Sequence, residues 1–432
     1  MAQPLRIGLA GLGTVGAGVV RLVAANGDLL AQRTGRQLRI TAVSARDRAR
    51  DRGVDLSGLR WHDDPRGLAE DPEVDVVCEL IGGAEGPALE LCREALARGK
   101  AVVTANKAML AVHGAQLATQ AERAGAALAF EAAVAGGIPI VKSLREGLAA
   151  NRVRRVYGIL NGTCNYILTT MRETGRDFAS VLAEAQALGY AEADPSFDVD
   201  GIDAAHKLAL LATLAFGGRP RFDAIHVEGI RHVSALDISF AAELGYRIKL
   251  LGLARMTPNG LEQRLHPCMV PASAPIAAVE GVFNGVVVDG DFVGNVVHEG
   301  RGAGAGPTAS AVLADLVDIA RGSRVPTFGV PAAALADHPT APMAAHVGSY
   351  YIRLQVTDRP GVLADVSAVL RDHDVSIEAL IQRGRNPDQP VPIVLTTHEA
   401  VEAQMTGALD RIARLGTVIE PPRMIRIERL AD

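Results

Sequence analysis

The sequence predicts an α/β protein that has a doubly wound parallel sheet, then an α+β domain, then a small C-terminal α+β module. Three observations support this fold class. A glycine-rich turn at residues 11–16 joins an apolar strand to an apolar helix, strands and helices alternate as far as residue 131, and the order β-α-β-β-α-β follows Tyr350. Because parallel strands need a crossover connection, usually a helix, the alternation in the first part predicts parallel strands.

Length and composition are those of a globular protein with more than one core. The chain has 432 residues, of which 48% are hydrophobic and 22% are charged. A net charge of −5 offers no basic surface, so we expect no nucleic-acid partner. The apolar runs are too short to span a membrane, and the N-terminus leads into a glycine loop, so we expect no membrane and no signal peptide. The four cysteines lack metal-type spacing and fit a reducing cytoplasm.

The glycine-rich turn has the pattern of a dinucleotide-binding loop. Strand Leu5–Ala10 runs directly into it, and an apolar helix follows it. Gly11 permits the tight turn, Gly13 lets the backbone approach a pyrophosphate, and Gly16 lets helix and strand pack closely. The unpaired N–H groups of the helix N-terminus then face the phosphates. We therefore predict a Rossmann domain that binds NAD or NADP through the loop residues Gly11, Gly13, Thr14, Val15 and Gly16.

The end of the second predicted strand, at residues 39–45, bears on the choice of cofactor. The acidic residue that usually selects NAD is missing at the strand tip, where Ser44-Ala45-Arg46 stands. An arginine at this place holds a 2′-phosphate, so Arg46 favours NADP. The alternative is that Arg46 is a solvated loop residue, and the neighbouring Asp47 keeps NAD open.

Two further strand ends of this domain supply candidate site residues. Strand Ala101–Thr104 is followed by Lys107, at the edge of the sheet where ligands bind, although a loop lysine is as often merely solvated. Strand 127–131 is followed by a glycine-rich turn. Its carbonyls and the Glu131 carboxylate are the all-oxygen ligands that hard cations take. By itself, that turn is better explained as a plain strand-to-helix connection.

The second domain contains an acid–lysine pair on one face of a helix. An acidic loop contains Pro195, which should exclude a helix there, and a helix with Asp200 as its N-cap then runs to Gly217. Asp203 and Lys207 are four residues apart, at one end of the buried leucine stripe of this helix. Burying such a pair is costly for stability and suits a functional site. Spacing alone, however, favours an ordinary helical ion pair.

Strands predominate in the remainder of the second domain. Those predicted over 249–256, 261–270, 279–284 and 286–288 suggest an open sheet that buries one face against a partner subunit. A second glycine-rich loop at 300–308 precedes a helix predicted over 309–321, and we expect that loop to lie near the cofactor. The proline- and alanine-rich segment before residue 348 is predicted as a linker. The module after Tyr350 is ferredoxin-like, and its lack of an acid–base cluster favours a binding or regulatory role.

The stretch around the acid–lysine pair resembles the signature of homoserine dehydrogenases at every fixed position: Ala185-x3-Gly189-Tyr190-Ala191-x2-Asp194-Pro195-x2-Asp198-Val199-x-Gly201-x-Asp203-x3-Lys207. The similarity extends to the segments 11–16, 104–107, 161–166 and 300–308. In the C-terminal module, Asp358-Arg359-Pro360-Gly361-Val362-Leu363 resembles an ACT domain, a small module that typically binds amino acids.

The resemblance implies reversible reduction of L-aspartate 4-semialdehyde to L-homoserine by NAD(P)H, on the route to threonine, isoleucine and methionine. Hydride delivery to an aldehyde creates an alkoxide that needs a nearby cation or proton donor, and the residues supply one. By resemblance, Lys207 is the proton donor, and Lys107 is a second, substrate-orienting lysine that is also expected to contact the cofactor. The other implied contacts are Glu192 and Asp203 for the amino acid end of the substrate, Thr104, Gly189 and Gly306 for the cofactor, and Glu131, Val134, Gly136 and Ile138 for a structural sodium ion.

The resemblance also divides the chain into domains. We assign residues 1–135 and 305–330 to the Rossmann domain, 136–304 to a catalytic and dimerisation domain, 331–347 to a linker and 348–432 to the ACT regulatory domain. We expect a homodimer or homotetramer whose ACT domain binds an amino-acid effector, with threonine favoured. Two other interpretations stay open, namely a nucleotide- and amino-acid-binding sensor without turnover, and a Rossmann oxidoreductase that acts on another small substrate.

Overall fold

The computed structural model describes residues 3–383 and 389–430, so residues 1–2 of the predicted Rossmann domain and residues 384–388 and 431–432 of the predicted ACT domain lie outside the described residues. The first part of the chain forms a six-stranded parallel sheet made of β1 (Leu5–Ala10), β2 (Leu38–Ser44), β3 (Arg60–His62), β4 (Val76–Glu79), β5 (Ala101–Thr104) and β6 (Leu128–Ala129). The strands lie in the order β3-β2-β1-β4-β5-β6, which is that of a Rossmann fold. The predicted doubly wound parallel sheet is confirmed.

Helices cover both faces of this sheet, because its strands are apolar on both sides. Val76 and Cys78 of β4 point into one buried cluster, and Val77 between them points into the other. The helices of this part are α1 (Thr14–Thr34), α2 (Gly67–Glu70), α3 (Pro87–Ala97) and α4 (Lys107–Ala124).

α1 is long and apolar enough to cross a membrane by length and composition alone. Its first turns are buried against the sheet, however, with Val19 in the core beneath β1. Asn26 also departs from helical geometry, with φ −116° and ψ 18°, and interrupts the helix. α1 is therefore a core helix of the Rossmann domain.

The second part of the chain builds a mostly antiparallel sheet. Its strands are β7 (Val153–Ile159), β8 (His226–Val227), β9 (Tyr246–Thr257), β10 (Gly260–Pro271), β11 (Phe283–Gly290) and β12 (Gly294–Arg301). Its helices are α5 (Ile140–Lys142), α6 (Gly162–Thr174), α7 (Phe178–Ala187), α8 (Ser196–Val199), α9 (Ile202–Phe216) and α10 (Ala235–Glu243). After β12 the chain returns to the first sheet through α11 (Ala305–Ala320), which packs beside α1.

The C-terminal part has the predicted β-α-β-β-α-β order, with one short additional strand. Its elements are β13 (Val347–Thr357), α12 (Val362–Asp372), β14 (Ile377–Gln382), β15 (Pro390–Thr397), β16 (Ala400–Val401), α13 (Glu402–Ile412) and β17 (Arg423–Ile427). β17 pairs with β13 on one side and, in parallel, with β10 on the other. The two sheets are therefore one 11-stranded sheet, whose main path is β12-β11-β7-β9-β10-β17-β13-β15-β14.

The start of α9 differs from the prediction in two respects. Gly201, and not Asp200, is its N-cap, with φ 90°, and the Asp200 carboxylate instead pairs with Arg231 at 2.5 Å. A short helix, α8, follows Pro195 directly. Proline fits before the first turn of a helix, because the N–H that it lacks has no partner there. Pro195 therefore begins a helix where we had expected it to exclude one.

Two other predicted elements are wrong in extent. Residues 279–284 were predicted as a strand, but β11 begins only at Phe283, after a 3₁₀ turn at Pro275–Ala278. Strand β12 was not predicted at all. β12 is an edge strand rich in glycine and charge, which weakens its sequence signal. The helix predicted over 309–321 begins at Ala305, because Pro307 is tolerated in a first helical turn.

The predicted linker is an ordered connection that packs on the second part of the chain. Its backbone bonds to β10, where the Leu261 N–H donates to the Pro339 carbonyl at 2.8 Å. It also bonds to the end of α9, where the Ala336 N–H donates to the Gly217 carbonyl at 2.9 Å. These bonds fix the path of the chain into the C-terminal part, so the segment does not behave as a flexible tether.

A buried ion pair holds the C-terminal part against α10. Asp237 of α10 accepts hydrogen bonds from Arg353 Nε at 2.7 Å and from the Tyr351 hydroxyl at 3.0 Å, both on β13. All three side chains are buried. Removing one member of a buried ion pair leaves an uncompensated charge in the interior, which is strongly destabilising.

We predict that Asp237→Ala lowers the free energy of unfolding by about 3–5 kcal/mol, because Arg353 is left buried without its carboxylate. Urea unfolding measures the effect. The matched control is Asp372→Ala, whose exposed carboxylate pairs with Arg371 and Arg411 and should contribute no more than about 1 kcal/mol. Equal unfolding midpoints for the two variants would contradict this account of the junction.

Candidate active site

A cavity of about 580 Å³ lies between the carboxyl edge of the parallel sheet and the helices of the second part. Both predicted lysines and Asp203 line it, together with Asn161 and Asp198. The remaining lining comes mostly from turns, namely Val15 of the first glycine loop, residues 132–136 and the second glycine loop at 301–304. Ligands bind at the carboxyl edge of such sheets, so this cavity is the candidate active site.

The first glycine loop meets the steric demands of a dinucleotide. Gly11 has φ 99°, and a Cβ placed on it would stand 2.4 Å from the Leu80 carbonyl oxygen. A Cβ on Gly16 would stand 2.0 Å from the Gly11 carbonyl oxygen, so helix and loop approach too closely for a side chain. A Cβ on Gly13, in contrast, would meet nothing within 4 Å, which leaves its outer side open for a pyrophosphate.

The second glycine loop places another helix N-terminus beside the first. Gly304 caps α11 with φ 120° and no side-chain hydrogen bond, and Gly13 caps α1 likewise without one. The two helices touch near these ends, since a Cβ on Gly18 would lie 2.6 Å from the Ala305 carbonyl oxygen. Uncapped N–H groups and helix dipoles favour negative charge, so the pair of N-termini suits phosphates.

Asp203 brings the two lysines together. Its Oδ2 accepts a hydrogen bond from Lys207 Nζ at 2.7 Å, and its Oδ1 lies 3.1 Å from Lys107 Nζ. Asn161 Nδ2 donates a further bond to Oδ2 at 2.9 Å. Burial by itself raises the pKa of Asp203, but the charges of Lys207 and Lys107 outweigh it and hold that pKa well below its usual range. The carboxylate therefore stays ionised between two cations.

Lys207 is held rigidly with a donor to spare. Its side chain is 11% exposed, and Nζ donates to the Leu160 carbonyl at 2.7 Å as well as to Asp203. An ammonium group has three N–H donors, so one is left to point into the cavity. The structure thus places the predicted helical ion pair at the wall of the cavity, with one N–H of Lys207 outside these two bonds.

Lys107 reaches the same carboxylate from the Rossmann part of the chain. It begins α4, where the helix dipole disfavours a cation, and its side chain is 28% exposed. Asp203 compensates for the dipole, and Nζ also lies 5.9 Å from the centre of the Phe197 ring. The two lysines thus come from different domains and converge on one acid.

Asp198 is a site residue that our sequence analysis did not select. It lines the cavity and accepts bonds from Asn161 Nδ2 at 2.8 Å and from the Thr163 hydroxyl at 3.2 Å. Burial and the neighbouring Asp203 raise its pKa. The signal was present, since Asp198 is a fixed position of the signature and the polar turn 161–166 supplies its partners.

Several predicted residues lie elsewhere. Glu192 is exposed and outside the cavity lining, and its backbone carbonyl accepts a hydrogen bond from Gln186 Nε2 at 3.0 Å. Thr104 is buried, donates to Glu79 at 2.5 Å and does not line the cavity, although its neighbour Ala105 does. Arg46 is exposed at the end of β2. Gly189 lines the cavity, whereas Gly306, the second residue of α11, does not.

The predicted cation turn coils tightly next to the second glycine loop. Ala135 and Gly136 both have positive φ, 54° and 53°, and a Cβ on Gly136 would stand 2.3 Å from the Gly302 carbonyl oxygen. The Glu131 carboxylate already accepts the N–H groups of Val141 and Lys142, each at 2.9 Å. Burial raises the pKa of Glu131, and these two bonds offset it only in part.

A second buried acid adjoins this turn. Asp315 of α11 accepts the Glu131 N–H at 2.8 Å, and burial together with the Glu131 charge raises its pKa to about 7. Of the other two predicted ligands, Val134 is buried in the turn, and the Ile138 carbonyl already accepts the Ile140 N–H at 2.8 Å. Two buried acids beside a carbonyl-rich turn are chemically suited to a cation.

Comparison with known proteins agrees with both halves of this site. Residues 11–131 match the family model described as the NAD binding domain of homoserine dehydrogenase, residues 139–317 match that described as homoserine dehydrogenase, and residues 350–416 match the ACT domain. The homoserine dehydrogenase of Pseudomonas aeruginosa is 47% identical over 99% of this chain and 100% of its own. That of Neisseria gonorrhoeae is 47% identical over all of both chains.

Solved structures show the same likeness. A homoserine dehydrogenase from Thiobacillus denitrificans superposes with a TM-score of 0.94 at 45% identity, covering 100% of both chains. A hyperthermophilic archaeal homoserine dehydrogenase in complex with NADPH superposes with a TM-score of 0.62 at 27% identity, over 73% of this chain and 97% of its own.

A Rossmann sheet with two helix N-termini at a lysine-lined cavity is the architecture of an NAD(P)-dependent oxidoreductase. The matches over nearly the whole chain identify the family of oxidoreductases to which it belongs. The chain belongs to the homoserine dehydrogenase family, with a C-terminal ACT domain.

We predict that Gly13→Ala weakens NADPH binding by about tenfold or more, a loss of about 1.4 kcal/mol, because the new methyl group occupies the space open to the pyrophosphate. Fluorescence titration with NADPH measures the affinity. The fold should be unaffected, since that Cβ meets nothing within 4 Å. Gly27→Ala, equally unobstructed and further along α1, is the matched control. Unchanged NADPH affinity in Gly13→Ala would contradict the assignment of the loop.

Proposed function

We propose that this protein is a homoserine dehydrogenase, which reversibly reduces the aldehyde of L-aspartate 4-semialdehyde to the primary alcohol of L-homoserine with NAD(P)H. The observation that supports this most strongly is the convergence of Lys107 and Lys207 on Asp203 at the cavity beside the glycine loops. A carbonyl reduction needs a cationic proton donor next to a hydride source, and the cavity combines the two.

The reaction adds a hydride to the carbonyl carbon and a proton to the carbonyl oxygen. The nicotinamide cofactor supplies the hydride when bound. Lys207 donates the proton in this proposal, since its remaining N–H points into the cavity while the Leu160 carbonyl and Asp203 hold the other two. The same ammonium stabilises the negative charge that develops on the oxygen.

Lys107 and the acids orient the substrate. Lys107 is the more exposed of the two lysines, so we assign it to the substrate. Asp203 and Glu192 hold the amino acid end, and half-buried Asp198 is a further acid at the same wall. Since Glu192 is exposed, its role requires the loop 189–195 to fold over the cavity. A change in the proteolytic sensitivity of this loop on substrate binding would test that step.

The cofactor in this proposal is NADP rather than NAD. Support comes from three arginines after β2 and from the absence of an acid at the strand tip. Arg46 is exposed there, Arg48 and Arg52 lie 5.5 and 5.6 Å from the centre of the Trp61 ring, and Arg52 Nε donates to the Leu12 carbonyl at 3.1 Å. This cationic group beside the first loop suits a 2′-phosphate. Steady-state kinetics with NADPH and NADH would decide the preference.

A structural sodium ion is proposed at the turn formed by Glu131, Val134, Gly136 and Ile138. The buried, incompletely compensated Glu131 and the left-handed turn support it, and Asp315 adds further negative charge. A monovalent ion there would brace the turn against the second glycine loop. Thermal unfolding in sodium chloride and in choline chloride at equal ionic strength would test this site.

The wider assignment concerns regulation, assembly and location. We propose the domain boundaries given above, a role in threonine, isoleucine and methionine biosynthesis, and threonine binding by the ACT domain. We also propose a cytoplasmic homodimer or homotetramer, for which the 90% exposed Phe292 at the β11–β12 turn is a supporting observation. Inhibition assays with threonine and light scattering test these points. Truncating the ACT domain would not, because β17 pairs directly with β10.

The two rival interpretations predict different behaviour. A sensor without turnover has no use for a lysine with a free donor at the cavity, and a reductase of another substrate would be inactive with aspartate semialdehyde. Both rivals predict NADPH binding, so only turnover with the named substrate separates them from the proposal.

We predict that Lys207→Met lowers kcat with aspartate semialdehyde by about 10²–10⁴-fold, the usual worth of a positioned acid, while NADPH affinity stays within about twofold. NADPH oxidation and fluorescence titration give the two quantities. Lys100→Met is the matched control, because Lys100 bonds to the Asp71 carbonyl at 2.6 Å and lies outside the cavity lining. Undiminished turnover in Lys207→Met would overturn the role assigned to Lys207.

A further inference from the structure

A second, smaller cavity of about 160 Å³ lies between α6, α10 and the start of β9. A single water needs only about 15 Å³ on this measure, so the space admits a small molecule. None of its lining residues lines the candidate active site. The chemistry proposed for the enzyme therefore gives this cavity no role.

Three cations and one acid line this cavity. Glu280 accepts a bond from Arg247 Nη1 at 2.7 Å and lies 3.2 Å from Arg172 Nη2 and 3.6 Å from Lys249 Nζ. Its second oxygen also accepts a bond from the Thr169 hydroxyl at 2.8 Å. Arg172 also pairs with Glu173 at 3.1 Å, so two carboxylates face three cations and the cluster retains one net positive charge.

The deepest of these cations is almost fully enclosed. The Lys249 side chain is 3% exposed, and Nζ donates to the Val279 carbonyl at 2.5 Å and to Asn165 Oδ1 at 3.2 Å. Burial lowers the pKa of Lys249, because Glu280 compensates for it only in part. The two arginines are partly exposed, at 25% and 34%, so their unused N–H groups are accessible to a ligand.

The other side of the cavity is apolar. Leu168 of α6, Ile238 and Ala242 of α10, and Ile248 of β9 form this wall. A bare inorganic anion would satisfy the arginines but leave the apolar wall unfilled and face the Glu280 carboxylate. A fatty acid would fill the apolar wall, but its carboxylate would draw Arg172 and Arg247 away from Glu280 and give that acid no cation in return. The arginines, Glu280 and the apolar wall together fit a zwitterion that has an apolar side chain.

We propose that this cavity is a binding site for a small α-amino acid with an apolar side chain of about the size of valine. Its carboxylate pairs with Arg172 and Arg247, its ammonium group pairs with Glu280, and its side chain packs on Ile238 and Leu168. Arginine forks suit carboxylates because they donate paired N–H bonds in one plane. The inference does not depend on the proposed dehydrogenase activity.

The cavity lies between two helices, one of which begins at the candidate active site while the other contacts the ACT domain. α6 lines this cavity with its middle turns and begins at Asn161 and Gly162, which line the candidate active site. α10 lines it with Ile238 and Ala242, while Asp237 of the same helix pairs with Arg353 of the ACT domain. A bound amino acid would thus sit between the helices that connect to these two parts.

Isothermal titration calorimetry of the full chain with L-valine tests the proposal, with D-valine, isobutyrate and phosphate as comparison ligands. We expect L-valine to bind, and the other three to bind at least tenfold more weakly. Arg247→Gln should weaken L-valine binding at least tenfold through loss of a charge-assisted bond. Ile238→Phe should abolish it by filling the cavity. Arg176→Gln, which breaks an ion pair with Glu184 elsewhere, is the matched control and should not alter binding.

The ACT domain provides the decisive comparison. Arg359→Ala alters its exposed turn and should leave L-valine binding unchanged if the ligand occupies the cavity between α6 and α10. Absence of any heat with L-valine, equal affinity for isobutyrate or phosphate, or loss of binding in Arg359→Ala but not in Arg247→Gln would each overturn the proposal. Arg172→Gln, at a partly exposed position, serves in place of Ile238→Phe if that variant does not fold.

Discussion

The structure depends on one buried carboxylate, Asp203, and on the two lysines that it holds. Lys107 begins a helix of the Rossmann domain, and Lys207 lies on a helix of the second part, so neither domain alone contains the pair. Two ammonium groups repel each other at this range, and the dipole of α4 opposes the charge of Lys107. The carboxylate between them, fixed by Asn161, makes the arrangement stable and draws the two domains around one cavity.

The ACT domain is joined to this arrangement by backbone as well as by side chains. β17 continues the sheet of the second part through β10, and Arg426 of β17 pairs with both Glu402 and Glu228. The segment that contains Glu228 is in turn bonded to α8, where the Ile230 N–H donates to the Val199 carbonyl at 2.9 Å, next to Asp198. A continuous set of packed elements therefore connects the ACT sheet to the acid wall of the cavity.

Much of the fold and part of the site were accessible from the sequence. The glycine loop, the strand–helix alternation and the tail pattern are local signals, and they predicted the elements well. The joining of the two sheets could not be predicted, because the β10–β17 pairing has no local signature in either strand. Likewise, spacing placed Asp203 beside Lys207, but only the fold brings Lys107 from 96 residues away, and only burial distinguishes Asp198 from the exposed Glu192.

The central claim is that Asp203 and Lys107 act as one unit, and a double-mutant cycle on kcat/KM tests it most directly. Asp203→Asn leaves two cations without their shared partner, so part of its cost should vanish when Lys107 is already methionine and only Lys207 still needs that partner. We predict that the double variant Asp203→Asn/Lys107→Met is at least about tenfold more active than the product of the two single effects, a coupling of about 1.4 kcal/mol. Fold-losses that simply multiply would show that the two residues act independently and would contradict the account.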